Sequence, residues 1–472
     1  MEIKKEQVYT EASPARDMIT ALFDDGTFLE VGAYVKRARS EFGENMSLEG
    51  VITGYGAIDG RLVFAFAEDF TRFKGAIGSA HAAKINRLYE MAMKAGAPVI
   101  GIFDGAGADI TEGVGALAGY GSIMKNVSAA SGVIPQIAVI AGSCAGGSAV
   151  IVQMFDLVIG AADKGKLYVN SPFLLKDNSI GSIKSAAELG QISLVTTDPM
   201  EACTALRRVI NYLPQNNTEG TVYALNEEDA NRLIPEADGI LAASDYDMGA
   251  LIEALADNQS FLSLSDAFAP EMLTGFAQIG GMIIGVVANQ PKLKQGAITP
   301  DGARKAAHFI SFCDSFNIPL LTIADTCGYA VDNAMEASPY AAALAKLASA
   351  YAAATCPTVT LIAGRAYGSA FALMGSKSLG ADVVFALERA EITALSPEAS
   401  VDFVWSGKKG ERTALIEEWK RDMASPLLAA SVGEIDDIIA VDEIRVRVAA
   451  AFEMLTFKAD AKAAKKHGVM PL

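Results

Sequence analysis

The chain has 472 residues, of which 51% are hydrophobic and 20% are charged, and its formal net charge at pH 7 is −17. A chain of this length exceeds the size at which a single hydrophobic core stops growing, so two domains of similar size are expected. The negative charge argues against a general nucleic-acid binder, because neutralising phosphates requires a local excess of Lys and Arg. An anionic small ligand held by a local basic cluster is compatible with these numbers.

The cysteines and the N-terminus predict the cellular compartment. The chain has 5 cysteines, an odd number, widely spaced and without a C-x-x-C pair. This pattern favours reduced thiols over a disulfide framework or a zinc site. The first residues, M-E-I-K-K-E-Q, lack the apolar segment of a secretory signal. Between Lys125 and Asp156 there is no charge, but Gly and Pro interruptions favour a buried strand, turn and helix over a membrane span. A cytoplasmic location is therefore expected.

The first half of the chain predicts alternating helices and strands. In chain order these are a short amphipathic helix from Pro14 that ends at Asp25-Gly26, strands at 51–55 and 61–67, a helix at 80–94, and strands at 99–103 and 137–140. Alternation of this kind is typical of a layered α/β domain.

The second half repeats this order. Its predicted elements are strands at 275–276 and 283–288, a helix at 303–316, strands at 320–324 and 359–362, and charged helices at 412–423 and 438–462. Turn sequences within 213–239 mark the connection between the halves. We therefore place one domain at 1–238 and a second at 239–472.

Sequence identity between the halves indicates an internal duplication. The stretch I-A-G-S-C-A-G-G-S-A at 140–149 returns as I-A-G-R-A-Y-G-S-A-F at 362–371, an offset of 222. The stretch D-G-A-G at 104–107 returns as D-T-C-G at 325–328, an offset of 221, and Lys84 matches Lys305 at the same offset. Nearer the start of each half the offset is 233, which pairs Phe28-Leu29 with Phe261-Leu262. A near-constant offset of this extent points to one structural unit used twice.

Side chains for acid–base catalysis are scarce. The chain has 3 histidines; we interpret His81 and His308 as helix-face or packing residues and His467 as part of a tail. No Ser-His-Asp pattern and no metal-ligand spacing is present, so backbone N–H groups are the expected catalytic donors. The candidate positions lie in four glycine-rich turns at the ends of strands: Gly107, Ala108, Gly146 and Gly147 in the first half, and Gly328, Tyr329, Gly368, Ser369 and Ala370 in the second. They predict one oxyanion hole in each half; the alternative is that the glycines serve only close helix–strand packing.

The motifs of the chain resemble one known family nearly from end to end. They include D-D-G-T-F-L-E-V at 24–31, F-A-E-D-F-T-R-F-K-G at 66–75, I-P-Q-I-A-V-I-A-G-S-C-A-G-G at 134–147, D-G-A-R-K-A-A-H-F-I-S-F-C-D-S-F-N-I-P at 301–319 and K-K-H-G-V-M-P-L at 465–472. The chain resembles the carboxyltransferase (beta) subunits of biotin-dependent acyl-CoA carboxylases. That family includes the alpha subunits of the sodium-pumping glutaconyl-CoA and methylmalonyl-CoA decarboxylases.

The resemblance implies an α/β fold of two tandem crotonase-like (ClpP/crotonase) domains. It implies transfer of a carboxylate between carboxybiotin and the α-carbon of a short-chain acyl-CoA of the propionyl, acetyl or methylmalonyl type. Carbon dioxide is released, and the ureido nitrogen of biotin accepts the α-proton, so no side-chain base is needed. By this likeness the hole at Ala108, Gly146 and Gly147 receives the acyl-CoA carbonyl. The hole at Ser369 and Ala370, with Gly328 and Tyr329 nearby, receives biotin.

The resemblance also implies partners and further binding residues. Biotin would be attached to a separate carrier protein, with a biotin carboxylase or a membrane decarboxylase subunit as further partner, and no metal is expected in this subunit. A homodimer is the expected minimum and a hexamer the expected assembly. Arg72, Lys74 and Lys84 are candidates for the CoA phosphates, although solvated surface charge explains them equally well. Ala372 matches a position near the acyl group, and its small side chain predicts room for propionyl-sized or larger groups.

Several positions depart from the family pattern and keep other functions open. Asp109 stands where the family has Arg, Ser369 replaces the second of two glycines, and the segment 328–336 differs. These changes motivate a non-catalytic scaffold or regulatory paralogue as an alternative. Decarboxylation is the alternative within the same chemistry, because both directions share one transition state. A plain enoyl-CoA hydratase is disfavoured, since it needs two positioned carboxylates and only one domain.

Overall fold

The computed structural model describes residues 12–37, 48–177, 180–224, 228–405 and 411–460, together with 462, 465, 468, 469 and 471. The chain forms two compact units, Met1–Gly220 and Thr221–Leu472. This division comes earlier in the chain than the boundary expected at 238/239, which falls within the helix Glu236–Leu241 of the second unit.

The first unit contains nine strands and seven helices among its described residues. The strands are β1 (Leu29–Glu30), β2 (Val51–Ile58), β3 (Arg61–Glu68), β4 (Val99–Phe103), β5 (Gln136–Ile140), β6 (Ser143–Ala145), β7 (Leu157–Ala161), β8 (Lys166–Tyr168) and β9 (Leu194–Thr196). The helices are Pro14–Leu22, Ser79–Ala95, Val114–Ala130, Gly147–Val152, Pro172–Leu175, Ile183–Glu188 and Pro199–Ile210.

One seven-stranded sheet organises the first unit, in the order β1-β2-β3-β4-β5-β7-β9. Strand β2 pairs antiparallel with both β1 and β3, and the strands from β3 onward run parallel. A separate parallel pair, β6 and β8, lies beyond the carboxyl ends of β5 and β7 in sequence. Because β4 and β5 are parallel neighbours, the turns that follow them emerge at the same edge of the sheet.

The second unit contains eight strands and ten helices among its described residues. The strands are β10 (Leu262–Leu264), β11 (Met272–Ile279), β12 (Met282–Asn289), β13 (Leu320–Thr326), β14 (Thr358–Tyr367), β15 (Val383–Leu387), β16 (Glu391–Thr393) and β17 (Asp437–Ile439). The helices are Glu236–Leu241, Met248–Leu255, Pro300–Ser315, Asn333–Glu336, Tyr340–Ala353, Ala370–Leu373, Pro397–Val404, Arg412–Met423, Pro426–Ser431 and Ile444–Met454.

The second sheet repeats the topology of the first, in the order β10-β11-β12-β13-β14-β15-β17. Strand β14 is long and corresponds to β5 and β6 together, so β16 pairs with its end as β8 pairs with β6. Leu29 pairs with Tyr55 across β1 and β2, and Leu262 pairs with Phe276 across β10 and β11. The register thus reproduces both the 233 and the 221 offsets, and the expected duplication is confirmed.

Each unit has its own apolar core. In the first, Phe66 contacts Phe103 and Phe103 contacts Phe155 in edge-on packing, with ring centroids 5.4 and 5.7 Å apart. In the second, the β-branched face of β12 and β13 packs with Phe452 from the helix Ile444–Met454. Burial of this apolar surface is the main stabilising term in each unit, at about 25 cal/mol per Å².

Most predicted elements are confirmed within a few residues, but the helix expected at 438–462 is wrong. Asp437–Ile439 forms β17, which pairs in parallel with β15, and the helix that follows is only Ile444–Met454. The β-branched pair Ile438-Ile439 completes the sheet edge, and this long-range pairing overrides the helical charge pattern.

Two further observations concern the described residues as a whole. None of their helices is long and apolar enough to cross a membrane. All five cysteines lie in the described part of the chain and none is bridged, as the sequence analysis expects.

Candidate active site

The turn after β4 is fixed by backbone hydrogen bonds that leave one amide unused. Gly105 N–H donates to the Ser143 carbonyl at 2.7 Å, which holds the turn against β6. Ile77 N–H donates to Gly107 O and Asp109 N–H donates to Ile77 O, both at 2.9 Å. Ala108 lies between these two bonds, and its N–H makes no hydrogen bond to any described residue. Ala108 is partly exposed, so this donor is available to a ligand.

The second turn of the first unit lies beside this one and also offers one amide. Gly146 has φ +59°, and its N–H donates to the Tyr168 carbonyl at 3.0 Å. Gly147 begins the helix Gly147–Val152, where the first N–H groups have no intrahelical acceptor. Of the two predicted donors here, Gly146 is therefore committed to the backbone, while Gly147 is free among the described residues.

A buried tyrosine supports both turns. A Cβ built on Gly147 would lie 2.9 Å from the Tyr120 ring, and one on Gly107 would lie 3.8 Å from the Tyr120 hydroxyl. The hydroxyl is also 3.3 Å from Ser148 Oγ. Burial raises the pKa of Tyr120 to about 12, so the phenol stays neutral. We call the Ala108 and Gly147 N–H groups, which belong to the two turns beside Tyr120, the first-unit hole below.

The second unit repeats three of these backbone hydrogen bonds at the corresponding residues. Ile298 N–H donates to Gly328 O at 3.0 Å and Ala330 N–H donates to Ile298 O at 3.0 Å, which leaves the Tyr329 N–H unused among described residues. Gly368 N–H donates to the Thr393 carbonyl at 2.9 Å, as Gly146 does to Tyr168.

At these turns of the second unit, two amides lack a hydrogen-bond partner among the described residues: that of Tyr329 and that of Ser369, at the helix start after Gly368. Ser369 is exposed with φ −70°, and Ala370, the first residue of the short helix Ala370–Leu373, is fully buried. Gly328 N–H contacts its neighbour Thr326 Oγ1 at 3.2 Å. The Tyr329 and Ser369 N–H groups, which correspond to those of Ala108 and Gly147, are called the second-unit hole below.

The support under the second-unit hole differs from that under the first. Tyr340 accepts a hydrogen bond from Ala330 N–H at 2.8 Å and donates one to the Ile298 carbonyl. Its ring lies edge-on to Tyr329, with centroids 6.3 Å apart. A tyrosine thus fixes the turn in both units, but from different sequence positions.

The basic candidates separate into two groups. Arg72 and Lys74 lie on the 3₁₀ turn at Phe73–Gly75, and the Lys74 carbonyl accepts the Ala106 N–H at 2.9 Å, next to the first-unit hole. The Lys74 side chain is exposed. Lys84 is buried and its Nζ donates to the Val51 carbonyl. The structure removes Lys84 from the phosphate candidates, because a buried amine bonded to β2 cannot reach a ligand.

Asp109, which replaces the family's Arg, forms an ion pair in this chain. Arg37 contacts its carboxylate, and both side chains are nearly buried. The Arg37 guanidinium also stacks 4.1 Å from the centre of the Phe73 ring. Asp109 further caps its own turn by accepting from Thr111 N–H and Oγ1 at 2.9 and 2.7 Å. The exchange therefore leaves an ion pair at the end of the first turn.

Metal chemistry has no obvious ligands in the described residues, where no group of three or more His, Cys, Asp or Glu side chains could hold an ion. His81 is fully buried, and His467 lies outside the described residues. What the geometry does offer is two pairs of backbone donors of the kind that stabilise a developing negative oxygen.

Comparison with known proteins identifies the family. The carboxyl transferase domain matches residues 12–470 of the chain. The chain belongs to this family. A putative propionyl-CoA carboxylase beta chain of Bacillus subtilis (strain 168) is 40% identical over 483 residues, covering 97% of this chain and 93% of the relative. The methylmalonyl-CoA decarboxylase subunit alpha of Propionigenium modestum is 37% identical over 480 residues, with the same coverage.

Solved structures agree with this assignment. Transcarboxylase 12S, a hexamer crystallised with methylmalonyl-coenzyme A and methylmalonic acid bound, matches with a TM-score of 0.94 and 32% identity. The match covers 99% of this chain and 94% of that chain. The expected fold of two tandem crotonase-like domains and the expected enzyme class, a biotin-dependent acyl-CoA carboxyltransferase, are confirmed.

Several residues that shape the candidate site were missed from the sequence. Tyr120 and Tyr340 support the two holes, but they do not match at the repeat offset, so the duplication could not reveal them. Asp104 and Asp325 do match, within the repeated stretches at 104–107 and 325–328. They accept the Ser143 and Arg365 N–H groups, both at 3.1 Å.

The buried lysines of this carboxyltransferase predict a pH-dependent stability. Burial lowers the pKa of Lys84 to about 8, below its ordinary 10.5, and it lowers the pKa of Lys305 to about 8 as well. Between these values the unfolded chain binds protons that the folded chain does not, so stability should rise from pH 8 to 10.5. In Lys84→Met this rise should shrink by up to about 3 kcal/mol. The melting temperature across this range tests it.

Lys94 provides the matched control, because it is an exposed lysine of the same helix. Lys94→Met should keep the wild-type dependence of melting temperature on pH. Parallel curves for Lys84→Met and the wild type would contradict the prediction.

Proposed function

We propose that the chain is the carboxyltransferase subunit of a biotin-dependent acyl-CoA carboxylase that acts on propionyl-CoA or a similarly small acyl-CoA. The observation that carries the proposal is the pair of unbonded N–H groups repeated in each unit, Ala108 with Gly147 and Tyr329 with Ser369. Two separate negative oxygens need stabilising in this transfer, one on each reactant. The propionyl-CoA carboxylase relative and the methylmalonyl-CoA bound to transcarboxylase 12S support the substrate class.

The first-unit hole is assigned to the thioester. When the α-proton leaves the acyl-CoA, charge moves onto the thioester oxygen, and the Ala108 and Gly147 N–H groups would donate to it. They are preorganised by the hydrogen bonds of the turn and by Tyr120, so little reorganisation is required when the charge develops. Each such donor is typically worth about 10²- to 10³-fold in kcat.

The second-unit hole is assigned to biotin. Bound carboxybiotin supplies the carboxylate and, at its ureido nitrogen, the base. The site fits a ureido oxygen because the Tyr329 and Ser369 N–H groups are unbonded among the described residues and Ser369 is exposed. These two N–H groups would hold that oxygen and stabilise its negative charge. Arg72 and Lys74, next to the first-unit hole, would bind the CoA phosphates.

Assembly and partners follow from the same proposal. Biotin would arrive on a separate carrier protein charged by a biotin carboxylase. A homo-oligomer is proposed, with a dimer as its minimum and a hexamer like that of transcarboxylase 12S as its full form. The decarboxylase relative favours a second candidate, in which the subunit transfers the carboxylate away from a methylmalonyl-type substrate toward a membrane partner.

A reaction with free biotin tests the proposal. The purified chain is incubated with methylmalonyl-CoA or malonyl-CoA and free biotin, and loss of the carboxylate is followed as propionyl-CoA or acetyl-CoA. Biotin-dependent decarboxylation is expected. Binding of acyl-CoA without turnover of any short-chain substrate would instead support the scaffold alternative.

Acyl selectivity is predicted to depend on Ala372, a residue of the second unit that the family resemblance places near the acyl group. This residue is partly exposed in the short helix Ala370–Leu373. Ala372→Ile adds three carbons, and we expect the ratio of kcat/KM for malonyl-CoA over methylmalonyl-CoA to rise about tenfold, the size of effect that small apolar differences produce. An unchanged ratio would contradict this prediction, and Ala372→Gly, which removes bulk, should leave it near the wild-type value.

A further inference from the structure

Three buried titratable side chains lie together in the first unit, outside the holes. His81 Nδ1 is 3.8 Å from Glu49 Oε1, and His81 Nε2 is 4.0 Å from Glu68 Oε1. All three side chains are at most 1% exposed. Both His81 nitrogens, Glu49 Oε2 and Glu68 Oε1 have no hydrogen-bond partner among the residues that the structure describes. Such groups are expensive to bury, so their retention calls for an explanation.

One member of the cluster is bonded to the turn that carries the first-unit hole. Glu68 is the last residue of β3, and its Oε2 accepts the Asp104 N–H at 3.1 Å. A Cβ built on Gly105 would lie only 2.6 Å from the same oxygen, so the backbone of the turn packs directly on the carboxyl group. Ala108, whose N–H is a donor of the hole, follows three residues later. A displacement of the Glu68 carboxyl group would therefore move this turn.

In the second unit, the corresponding turn is held by a side chain that does not titrate. Asn289 occupies the position of Glu68 at the 221 offset, and its Oδ1 accepts the Asp325 N–H at 3.3 Å. A neutral amide oxygen is thus sufficient to hold the corresponding turn. Only the first unit places a carboxyl group there.

The surroundings of Glu68 favour its neutral form. Burial raises the pKa of Glu68 well above its ordinary value; the Asp104 N–H opposes this, and the Asp104 carboxylate adds to it. His81, Tyr120 and Cys144 also lie close to it. The cavity beside Glu68 and Asp104 is lined by further charged side chains: Asp17, Asp163, Lys164 and Asp198. Lys164 acts on the Asp104 carboxyl group, whereas none of the groups that shift the pKa of Glu68 is a cation. Burial lowers the pKa of His81, although Glu49 opposes this.

The remaining charges lie around the far side of His81. Burial works to raise the pKa of Glu49, but His81, the Gly50 N–H and Arg37 together lower it. Lys84 also acts on His81 and disfavours its protonation. These influences favour a negative charge on Glu49 and a proton on Glu68.

We propose that Glu68 is a positioning residue for the first-unit hole and that it holds the turn only while its carboxyl group is protonated. This inference rests on the proposed function of that hole. A proton lost from Glu68 leaves a buried charge beside the Asp104 carboxylate, and the repulsion moves the turn away from β3. Turnover then falls as pH rises, whereas a neutral acceptor such as glutamine keeps the turn in place.

The test is the pH profile of methylmalonyl-CoA decarboxylation with free biotin. The wild type should lose about tenfold in rate per pH unit on the alkaline side, and Glu68→Gln should lack this limb. Asp156→Asn is the matched control: Asp156 is a buried carboxyl with a pKa of about 7 that accepts the Gln136 N–H at the other end of β5. Its profile should match the wild type.

A measurement without turnover separates this inference from the proposed function. Because folding raises the pKa of Glu68, the wild type loses stability as the pH rises through this raised pKa. The melting temperature of Glu68→Gln relative to that of the wild type should therefore increase with pH. An alkaline limb retained in Glu68→Gln, or a folded variant inactive at every pH, would overturn the inference. If Glu68→Gln does not fold, Glu68→Asn, the residue of the second unit, takes its place. If the wild type shows no turnover, the proposed function is contradicted. The melting temperatures of the wild type and Glu68→Gln across pH then decide whether Glu68 titrates.

Discussion

Replacing Gly147 by alanine should lower kcat for biotin-dependent decarboxylation by about 10²-fold, the cost of a catalytic group misplaced by roughly 1 Å. The added Cβ would lie 2.9 Å from two atoms of the Tyr120 ring. Tyr120 is 8% exposed and packed in the core of the first unit, so the ring cannot simply turn aside. The start of the helix Gly147–Val152 must shift instead, and the Gly147 N–H shifts with it. Steady-state kinetics with methylmalonyl-CoA measure the effect.

Gly121→Ala is the matched control for this variant. Gly121 is the neighbour of Tyr120 in the helix Val114–Ala130, and a Cβ built there meets nothing within 4 Å. Alanine also favours a helix interior over glycine by about 1 kcal/mol. Gly121→Ala should therefore keep wild-type kinetics and melt no lower than the wild type. A Gly147→Ala protein with wild-type kcat would show that this N–H does not stabilise the reacting oxygen.

The sequence predicted the strands of the site because their signals are local. Apolar β-branched runs at 99–103 and 137–140 correspond to β4 and β5, and the repeat offset paired them with β13 and β14. The turns that follow parallel neighbouring strands lie at one edge of a sheet, so the sequence alone grouped the two glycine-rich turns of each half. The error at 438–462 arose where a three-residue strand depends on its partner β15 for its conformation.

The donors within each turn could not be assigned from the sequence. Gly146 and Gly147 are adjacent and chemically equal in the sequence. The pairing of β6 with β8 decides between them, because it directs the Gly146 N–H to the Tyr168 carbonyl. This long-range contact leaves no local signal. The same reasoning applies to Gly368, whose N–H is taken by Thr393.

The burial of charged side chains could not be predicted from the sequence either. Lys84 stands among helix residues that alternate between exposed and buried, and nothing in its neighbours shows that Nζ reaches the Val51 carbonyl. Its match with Lys305 was visible, and Lys305 donates to the Ser265 and Phe268 carbonyls, both at 2.9 Å. A lysine repeated in both halves of a duplicated fold is better explained by a shared structural role than by a ligand found on one side only.

Comparison of the two units shows where each has been adapted. The backbone bonds of the turns are the same, but the first-unit hole has Gly147 over a tyrosine ring, and the second has Ser369 open to solvent. The exposed position of Ser369 leaves room for its side chain. The two holes are therefore alike in their donors and different in their surroundings.

Replacing Ser369 by proline should abolish one donor of the second-unit hole while keeping the fold. Ser369 has φ −70°, within the range that proline imposes, and its N–H makes no hydrogen bond to a described residue. It stands at the start of the helix Ala370–Leu373, where proline is well tolerated. Biotin-dependent turnover should fall about 10²- to 10³-fold, the usual cost of one lost donor. The affinity for acyl-CoA, measured by calorimetry, should stay at the wild-type value, because the first-unit hole is untouched.

Ser369→Ala separates the loss of the N–H from the loss of the side chain. Alanine keeps the backbone donor and removes only the hydroxyl, which makes no hydrogen bond to the described residues. Its turnover should stay within about threefold of the wild type, since an exposed hydroxyl without a partner contributes little. If Ser369→Pro and Ser369→Ala turn over equally fast while both melt like the wild type, the Ser369 N–H takes no part in catalysis. The Tyr329 N–H would then be the remaining donor of the second-unit hole. A single donor stabilises a negative oxygen less than two donors do, so the reaction would be slower than two donors allow.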